Sequence, residues 1–496
     1  MSSKDNLFSL IKSLTQGEKA FFVKSLPAKK AESTDYLTLF YAIDKFDEYN
    51  EYKLKVKLKN HAFVKHLPVV KNYLFNLILK QLKSYYNEAS VKSNLIDLMQ
   101  NAEVLIKKAL YRESYRVLLK AEKIAERYDF HVLSLDIYDR LLRLNYDLLA
   151  DNETTTYSLE IYSKQRIVFA KISELAELKY LRNVYNSIFH SNESDEIKQQ
   201  RKQELLKHPL LKPNHQFLSY KAGVYYYHLR GRVLMNGNTD QKKKEGYETF
   251  LKLVAHMEQD PELLKVSLIN YTTALNNLIY VSHQLEKYEE SLDLINKLNT
   301  IHTDNNYLSF RIKEKVIVNR LAYYLFTKKH KEGVVYIEKV EKELIENESM
   351  FNNSFFIASL DSFTMLYFLV GEYSKSLKWV NFILGYKNIM RMDIQCFAKV
   401  LNLMIHYELK NYDHLEYILK STENFLTKNN SFDSYHKMIV QFFKTILQEA
   451  NSQEIKKKFK ALSKELATIE NSESEKVMFK LFNFREWAEK KEKSLH

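Results

Sequence analysis

The chain has 496 residues, of which 8 are Gly and 5 are Pro, and 45% are hydrophobic. Strand-rich folds need Gly and Pro in their many turns, so this scarcity favours helices, and the hydrophobic fraction argues against global disorder. The net charge of +13 is compatible with binding to nucleic acid, to an anionic surface or to an acidic partner. It is also compatible with an ordinary lysine-rich surface. The single cysteine, Cys396, excludes a disulfide framework and a cysteine-based zinc site.

The N-terminal stretch MSSKDNLFSLIKSL has no uninterrupted apolar segment followed by a small-residue cleavage site, so no signal peptide is expected. No apolar run approaches the roughly 20 residues that a membrane-spanning helix needs. A single cysteine is what a reducing compartment permits. Together these features predict a cytoplasmic protein.

Residues 1–90 are predicted to form an N-terminal helical module with a helix-turn-helix-like end. Thr15 and Glu18 have the spacing of a capping box, which starts a helix. The segment Tyr52–Lys59 alternates apolar and basic residues, a pattern typical of a strand, but we predict a helix because no partner strand lies nearby. Pro68 then opens a long helix, since the first turn is where helices tolerate proline.

The stretch Leu360–Leu384 predicts two short amphipathic helices joined by a turn at Gly371. Weaker copies of this unit recur along the chain, with spacings of about 34–45 residues between their turn aromatics. A polar segment at Asn236–Gly246 is predicted to be a loop. Four further segments follow the N-terminal module: first helical pairs at 91–190, an irregular linker with helices at 191–245, better-formed repeats at 246–450, and charged capping helices at 451–496.

The unit at Leu360–Leu384 resembles a tetratricopeptide repeat, which is a helix–turn–helix of about 34 residues. Three motifs, LFSLIKSLTQGEKAFF at 7–22, VVKNYLFNLILKQLKSYY at 69–86 and LMIHYELKNYDHLEYILKSTENF at 403–425, are similar to a family of long tetratricopeptide-like proteins of Bacteroidota-type bacteria. This resemblance covers nearly the whole chain. It implies an all-α fold, with the N-terminal helical module followed by a degenerate helical-hairpin solenoid, and it implies no chemistry.

Motifs of catalysis and of cofactor binding are absent from the sequence: no phosphate-binding loop, dinucleotide fingerprint, zinc-protease motif or nucleophile elbow is present. Cys396 lies in an apolar helical pattern, so we predict a buried structural cysteine rather than a catalytic thiol. His61 and His66 are five residues apart and do not share a helical face. His208 and His215 flank a proline-containing loop and could converge, but no carboxylate pattern accompanies them. We therefore predict a protein that is not an enzyme and needs no cofactor or metal.

One candidate binding surface is the inner face of the repeats. In a tetratricopeptide array the first helix of each pair lines a concave groove, and the register of the 360–384 unit assigns five polar residues to it. Asn amides and Lys ammonium groups can hold a peptide backbone or a carboxylate. The alternative is that these are ordinary polar residues on a solvated helix face. The five residues are Asn276, Asn277, Lys315, Asn319 and Asp361.

The second candidate is a lysine-rich run in the N-terminal module, in which Glu51 is the only acidic neighbour. Lysines beside a second helix suit contact with a phosphate backbone. The run contains no Arg, however, and Arg carries most bidentate base recognition, so a solvated lysine-rich face is the alternative. The lysines are Lys53, Lys55, Lys57, Lys59, Lys65, Lys71, Lys80 and Lys83.

The sequence thus favours an adaptor or scaffold that binds a protein or peptide partner in the groove of a helical-repeat array. The alternative is a nucleic-acid-associated regulator that uses the basic N-terminal module. The identity of the partner and the oligomeric state stay open at this stage.

Overall fold

The structure is a computed structural model, and its regular structure is helical throughout the described ranges, which confirms the prediction of an all-α protein. Within those ranges, no helix is both long enough and apolar enough to cross a membrane. The chain forms two compact units, Met1–Ile172 and Ser173–His496. The finer five-part division of the sequence stays a prediction. The described residues are 5–26, 31–46, 48–87, 90–148, 151–191, 193–237, 239–386, 391–429, 434–449, 451–470, 472 and 475–495.

The helices of the first unit are α1 Asn6–Ser13, α2 Gln16–Ser25, α3 Ala31–Asp44, α4 Glu51–Lys57, α5 Leu67–Asn87, α6 Val91–Lys107, α7 Tyr111–Arg127, α8 His131–Leu148 and the first part of α9 Asp151–His190. The predicted capping box is present, because the Glu18 N–H donates to Thr15 Oγ1 at 3.2 Å and the Thr15 N–H donates to Glu18 Oε2 at 2.6 Å. The alternating segment after Tyr52 is helical, as predicted: Leu54 and Leu58 are buried at the i, i+4 spacing of one helical face.

The second unit contains the rest of α9 and a series of helical pairs. The first helix of each pair packs beside the first helix of the next pair: α14 against α16, α16 against α18 and α18 against α20. The helices are α10 Asp195–Leu206, α11 Tyr220–Met235, α12 Asp240–Glu258, α13 Pro261–Val266, α14 Leu268–Gln284, α15 Tyr288–Asn299, α16 Asn306–Phe326, α17 His330–Glu346, α18 Asn353–Leu369, α19 Tyr373–Gly385, α20 Met392–Glu408, α21 Tyr412–Lys428, α22 Ser434–Ile446, α23 Ser452–Ile469, α24 Lys476–Leu481 and α25 Phe484–Ser494.

Four pairs of the second unit share one turn, in which the second residue after the end of the first helix is left-handed. The φ angles are 60° at Glu286, 55° at Lys328, 86° at Gly371 and 58° at Lys410. At Gly371 the next N–H, that of Glu372, donates to the Tyr367 carbonyl at 2.9 Å. This bond satisfies a carbonyl that the end of a helix leaves free. The turn predicted at Gly371 is therefore present, and it recurs about every 40 residues.

In three of these pairs a small residue lies five positions after the left-handed residue, where the second helix crosses the first, and in the fourth pair this residue is Leu415. Ser376 is fully buried and its hydroxyl donates to the Thr364 carbonyl at 2.8 Å. Gly333 holds the same place in the preceding pair, and a Cβ there would lie 2.8 Å from the Leu366 side chain. In the first unit, the Ser114 hydroxyl donates to the carbonyl twelve residues earlier, as Ser376 does. The hairpins of both units therefore close in the same way.

The prediction of a loop at Asn236–Gly246 is wrong, because helix α12 begins at Asp240, within this segment. Thr239 caps this helix by accepting the Lys242 N–H at 3.3 Å. A Cβ on Gly246 would lie 2.8 Å from the Met235 backbone nitrogen, so this glycine allows α11 and α12 to approach closely. The glycine that suggested a loop is thus a packing residue within a helix.

The predicted capping segment at 451–496 is charged and helical, but its aromatic residues pack into the array. Phe482 and Phe484 are buried, and the Phe482 ring lies 5.3 Å from Phe368 of α18 and 5.7 Å from Phe397 of α20. Trp487 donates its indole N–H to Glu408 at the end of α20, at 2.7 Å. The C-terminal helices therefore cover part of the first helices α18 and α20, most of whose side chains are buried.

Candidate functional site

The five residues predicted for the inner face lie on three adjacent first helices, α14, α16 and α18. The Asn319 amide donates to Asn276 Oδ1 at 2.9 Å and to the Lys315 carbonyl at 2.7 Å. The structure therefore brings Asn276, Lys315 and Asn319 together between α14 and α16. Asn277 and Asp361 lie outside this cluster of hydrogen bonds and have other neighbours.

Asn277 connects α14 to α11 through His228. Its amide nitrogen lies 3.3 Å from His228 Nε2, and because the amide donates, this ring nitrogen accepts. Burial lowers the pKa of His228 to about 4, and the nearby positive charges of Arg232 and Arg182 act in the same direction. His228 is therefore neutral at pH 7, which keeps Nε2 available as an acceptor for Asn277.

Lys315 does not present its ammonium group to a partner, and on this point the sequence-based interpretation is wrong. The residue is 6% exposed, and its Nζ donates to the Arg311 carbonyl at 3.2 Å. Burial lowers the pKa of Lys315, although the neighbouring Glu314 carboxylate opposes this. Asn319 is similarly buried, at 7% exposure. Both residues therefore stabilise the packing of α16 rather than form the accessible surface.

Asp361 is a carboxyl group without a hydrogen-bond donor at one oxygen. Its Oδ1 is covered by protein and has no hydrogen-bond partner, although the residue keeps part of its surface accessible. Burial raises the pKa of Asp361 to about 8; Arg391 opposes the shift and Asp393 adds to it. A group shifted in this way by its surroundings is typical of functional sites.

Arg391, just before α20, is already paired. Its guanidinium donates to both oxygens of Asp393, at 2.9 Å and 3.2 Å from Nε and 2.6 Å from Nη2. The two side chains are 43% and 63% exposed. The charge of Arg391 is therefore largely met by Asp393, whereas the carboxyl of Asp361 is left without a donor to Oδ1.

Tyr280 of α14 has an accessible ring, which is 41% exposed. Desolvation raises the pKa of Tyr280, and the positive charge of Arg391 opposes this shift. The ring lies about one helical turn after Asn276 and Asn277 on α14. We call Asn276, Asn277, Tyr280, Asp361 and Arg391 the polar face.

Two arginines lie at the α9–α11 end of the polar face. Arg232 lies over the Tyr185 ring at 4.7 Å and donates to Asn186 at 3.1 Å, and Arg182 lies over the Tyr225 ring at 5.2 Å. Within the described part of the chain, neither guanidinium is paired with a carboxylate. These arginines are therefore available to an acidic group.

Sequence reasoning missed Tyr280, His228 and Arg391. Tyr280 could have been found, since it lies four residues after Asn276 on the same helical face. His228 belongs to α11, which has no clear repeat pattern in the sequence, and Arg391 belongs to the connection before α20. Only the packing of the helices brings these two residues to the polar face.

The basic run of the N-terminal module is only partly solvated. Lys71 pairs with Asp5 and donates to the Tyr49 hydroxyl at 2.7 Å, so its placement on a solvated face was wrong. Lys55 pairs with Glu51 at 2.7 Å, and Lys57 lies over the Phe46 ring at 4.9 Å. The remaining five lysines are exposed and form no ion pair with any described residue: Lys53, Lys59, Lys65, Lys80 and Lys83.

The remaining candidates from the sequence are one cysteine, Cys396, and two histidines, His208 and His215. Cys396 is buried, at 1% exposure, as predicted. His215 lies 2.7 Å from Glu174 and His208 lies 3.4 Å from Glu177, so α9 supplies the carboxylates that the sequence around these histidines lacks. No group of three or more metal-ligating side chains comes together among the described residues.

Comparison with known proteins gives no relative: no family model matches the chain, and no curated protein matches it. Arguments about function therefore rest on the geometry of the polar face and of the basic run.

Proposed function

We propose that this chain is a non-enzymatic adaptor or scaffold that binds a protein or peptide partner on the polar face of a tetratricopeptide-like solenoid. The observation that carries the proposal is the exposed ring of Tyr280, which lies beside Asn276 and Asn277 on α14. An aromatic ring that is 41% exposed can be covered by a bound chain at little cost in ordering.

The residues of the polar face suit a polypeptide. Asn276 and Asn277 carry side-chain amides, which can both donate to and accept from a peptide backbone. Tyr and Arg are the residues that most often dominate binding energy at interfaces, and the polar face contains both. Arg182 and Arg232 add positive charge that no carboxylate among the described residues pairs with, at an end where an acidic side chain of the partner fits.

The C-terminal segment limits where a partner can bind. On α20 the ring of Phe397 is covered by Phe482 and Phe484. The exposed ring of Tyr280 lies on the earlier helix α14, so we place the partner there rather than on α20.

Asn277→Ala combined with Tyr280→Ala tests the proposal. A partner captured from lysate of the native cell, identified by mass spectrometry and purified, should bind this double variant at least about tenfold more weakly, because an amide and an aromatic contact are lost. Asn299→Ala with Asn424→Ala is the matched control, since both are exposed asparagines on second helices. Equal binding of the two double variants would contradict the proposal.

A second candidate function is that of a nucleic-acid-associated regulator. The observation that favours it is the set of five exposed lysines of the N-terminal module that lack an ion pair with described residues. Nuclease treatment during the capture separates this candidate from the first, since a partner held through nucleic acid is then lost.

A further inference from the structure

We propose that Lys179, Arg182 and Arg232 bind a phosphorylated side chain of the segment that binds on the polar face. This inference rests on the proposed function and names the anion that the α9–α11 end of the polar face selects. A phosphoryl group carries a charge of roughly −1.5 to −2 at pH 7 and three acceptor oxygens, whereas an aspartate or glutamate carries a single negative charge. We call the three basic residues the cationic end.

The guanidinium of Arg232 is held in a fixed place against α9. It lies over the Tyr185 ring at 4.7 Å and donates to Asn186 Oδ1 at 3.1 Å. Tyr185 is fully buried, and its hydroxyl donates to the Arg232 carbonyl at 3.2 Å and accepts from the Asn236 amide at 3.0 Å. A guanidinium has five N–H donors, and within the described residues only Asn186 accepts from this one. Arg232 is therefore positioned in advance and keeps donors for a ligand.

Arg182 and Lys179 bring two further cations to the same part of α9. Arg182 lies one helical turn before Tyr185, and residues at this spacing are neighbours on a helix surface, with their Cβ atoms about 5–6 Å apart. Its guanidinium lies over the Tyr225 ring of α11 at 5.2 Å, and Lys179 Nζ lies 5.8 Å from the same ring. Since Arg232 reaches back from α11 to Tyr185, the three cations gather along one seam between α9 and α11.

A direct contact connects this seam to the polar face. His228 lies between Tyr225 and Arg232 on α11, three residues after the first and four before the second, so all three share one face of that helix. Its Nε2 lies 3.3 Å from the amide nitrogen of Asn277 on α14. A segment bound across Asn277 is therefore about one helical turn from the cationic end.

The charges at the cationic end favour a ligand with more than one negative charge. Within the described part of the chain, none of its three side chains is paired with a carboxylate, and His228 adds no charge at pH 7 because burial lowers its pKa to about 4. Arg182 and Arg232 are half-buried and Lys179 is exposed, so all three keep accessible surface. A carboxylate neutralises one positive charge of three. A phosphoryl group neutralises up to two and matches the planar fork of a guanidinium.

Three labelled pentapeptides test the inference by fluorescence anisotropy with the full chain at pH 7.5: Gly-Gly-X-Gly-Gly with blocked ends, where X is phosphoserine, glutamate or serine. We expect the phosphoserine peptide to bind about tenfold or more tightly than the glutamate peptide. Arg182→Gln with Lys179→Gln should weaken binding of the phosphoserine peptide about tenfold. Arg166→Gln with Lys252→Gln is the matched control, since it removes two exposed cations elsewhere, and it should keep the affinity of the parent.

Three results would overturn the inference: equal binding of the phosphoserine and glutamate peptides, no binding of any peptide, or an unchanged phosphoserine affinity in Arg182→Gln with Lys179→Gln. Thermal denaturation checks that this double variant is folded. Lys179→Gln alone is the second variant, because Lys179 is exposed and its loss leaves the packing of α9 unchanged. It should weaken phosphoserine binding about threefold, and an affinity equal to that of the parent contradicts the inference as well.

Phosphatase treatment of the purified partner separates a failure of this inference from a failure of the proposed function. We expect the treated partner to bind the parent chain about tenfold more weakly than the untreated one. If the treatment has no effect while Asn277→Ala with Tyr280→Ala weakens binding, the partner binds on the polar face without a phosphoryl group and the inference fails alone. If neither change weakens binding, the proposed function fails as well.

Discussion

At the residue scale, the carboxyl of Asp361 should make the stability of the second unit depend on pH. Its pKa is raised to about 8 in the folded chain, against an ordinary value near 3.9 in the unfolded chain. Below about pH 4 both states are protonated and the group has no effect. As the pH rises from about 4 through about 8, only the unfolded state releases the proton readily, so stability falls.

Asp361→Asn removes this pH-dependent loss. We expect the variant to be more stable than the parent at pH 9, by on the order of 1–3 kcal/mol, and nearly equal to it at pH 4, because partial exposure screens the full penalty. Urea denaturation at the two pH values measures the difference. Asp293→Asn, at an exposed carboxyl of α15, controls for a general effect of charge, and a difference that is the same at both pH values would contradict the account.

Gly371 is a second residue whose substitution gives a defined result. A Cβ there would meet nothing within 4 Å, so Gly371→Val would not overpack the turn. The cost should come from φ at 86°, which a β-branched residue adopts at a penalty of about 1–3 kcal/mol. Thermal denaturation should show Gly371→Val less stable than Gly385→Val, whose site also has room for a Cβ but has no positive φ. Equal melting of the two variants would exclude backbone strain at this turn.

At the scale of elements, the sequence predicted the helical hairpins because their signals are local. The apolar spacing and the turn at Gly371 both act within one pair of helices, and the structure contains them. The prediction of a loop at Asn236–Gly246 was wrong because the sequence does not reveal whether a glycine serves a turn or the close approach of two helices. Gly246 serves the second purpose, against Met235.

The polar face was predicted less completely, since it depends on contacts between helices. Asn276 and Asn319 meet, as their register implied, but Lys315 is buried and bonds to the Arg311 carbonyl. Periodicity gives the face of a helix and not the depth at which a side chain lies on that face. The role of Arg391 could not be predicted, because it depends on where the connection before α20 passes.

The basic run of the N-terminal module allows a test of the alternative function at the same scale. If it binds nucleic acid, affinity should fall steeply with salt, with a log–log slope of roughly −0.7 to −0.9 for each phosphate contact. Replacing Lys53, Lys59, Lys65 and Lys83 by Glu should then abolish the binding. Lys71 is left unchanged because its pair with Asp5 supports the fold. Mobility-shift titrations on generic DNA and RNA at two salt concentrations measure this.

We expect no tight binding in these titrations, and capture of the protein partner by the four-Glu variant as by the parent. All four lysines are exposed and form no ion pair with described residues, so the substitutions should leave the fold intact. Tight, salt-dependent binding that the four-Glu variant loses would instead favour the nucleic-acid function over the adaptor.

At the scale of the whole molecule, the second unit combines a covered part and an accessible part of one array of helices. The C-terminal residues Phe482 and Trp487 pack on α18 and α20, so the inner side of the later pairs is filled by the chain itself. The earlier pairs keep polar side chains around the accessible ring of Tyr280. The proposal that the chain binds a partner depends on this contrast.

Site-specific photo-crosslinking tests that central proposal most directly. A photoreactive benzoylphenylalanine replaces Tyr280 in one variant and Tyr417 in another; Tyr417 is 79% exposed on the second helix α21 and serves as the matched control. After irradiation with the purified partner, we expect a covalent adduct with the variant at position 280 and none with the variant at position 417. An adduct at 417 without one at 280 would contradict a binding site on the polar face.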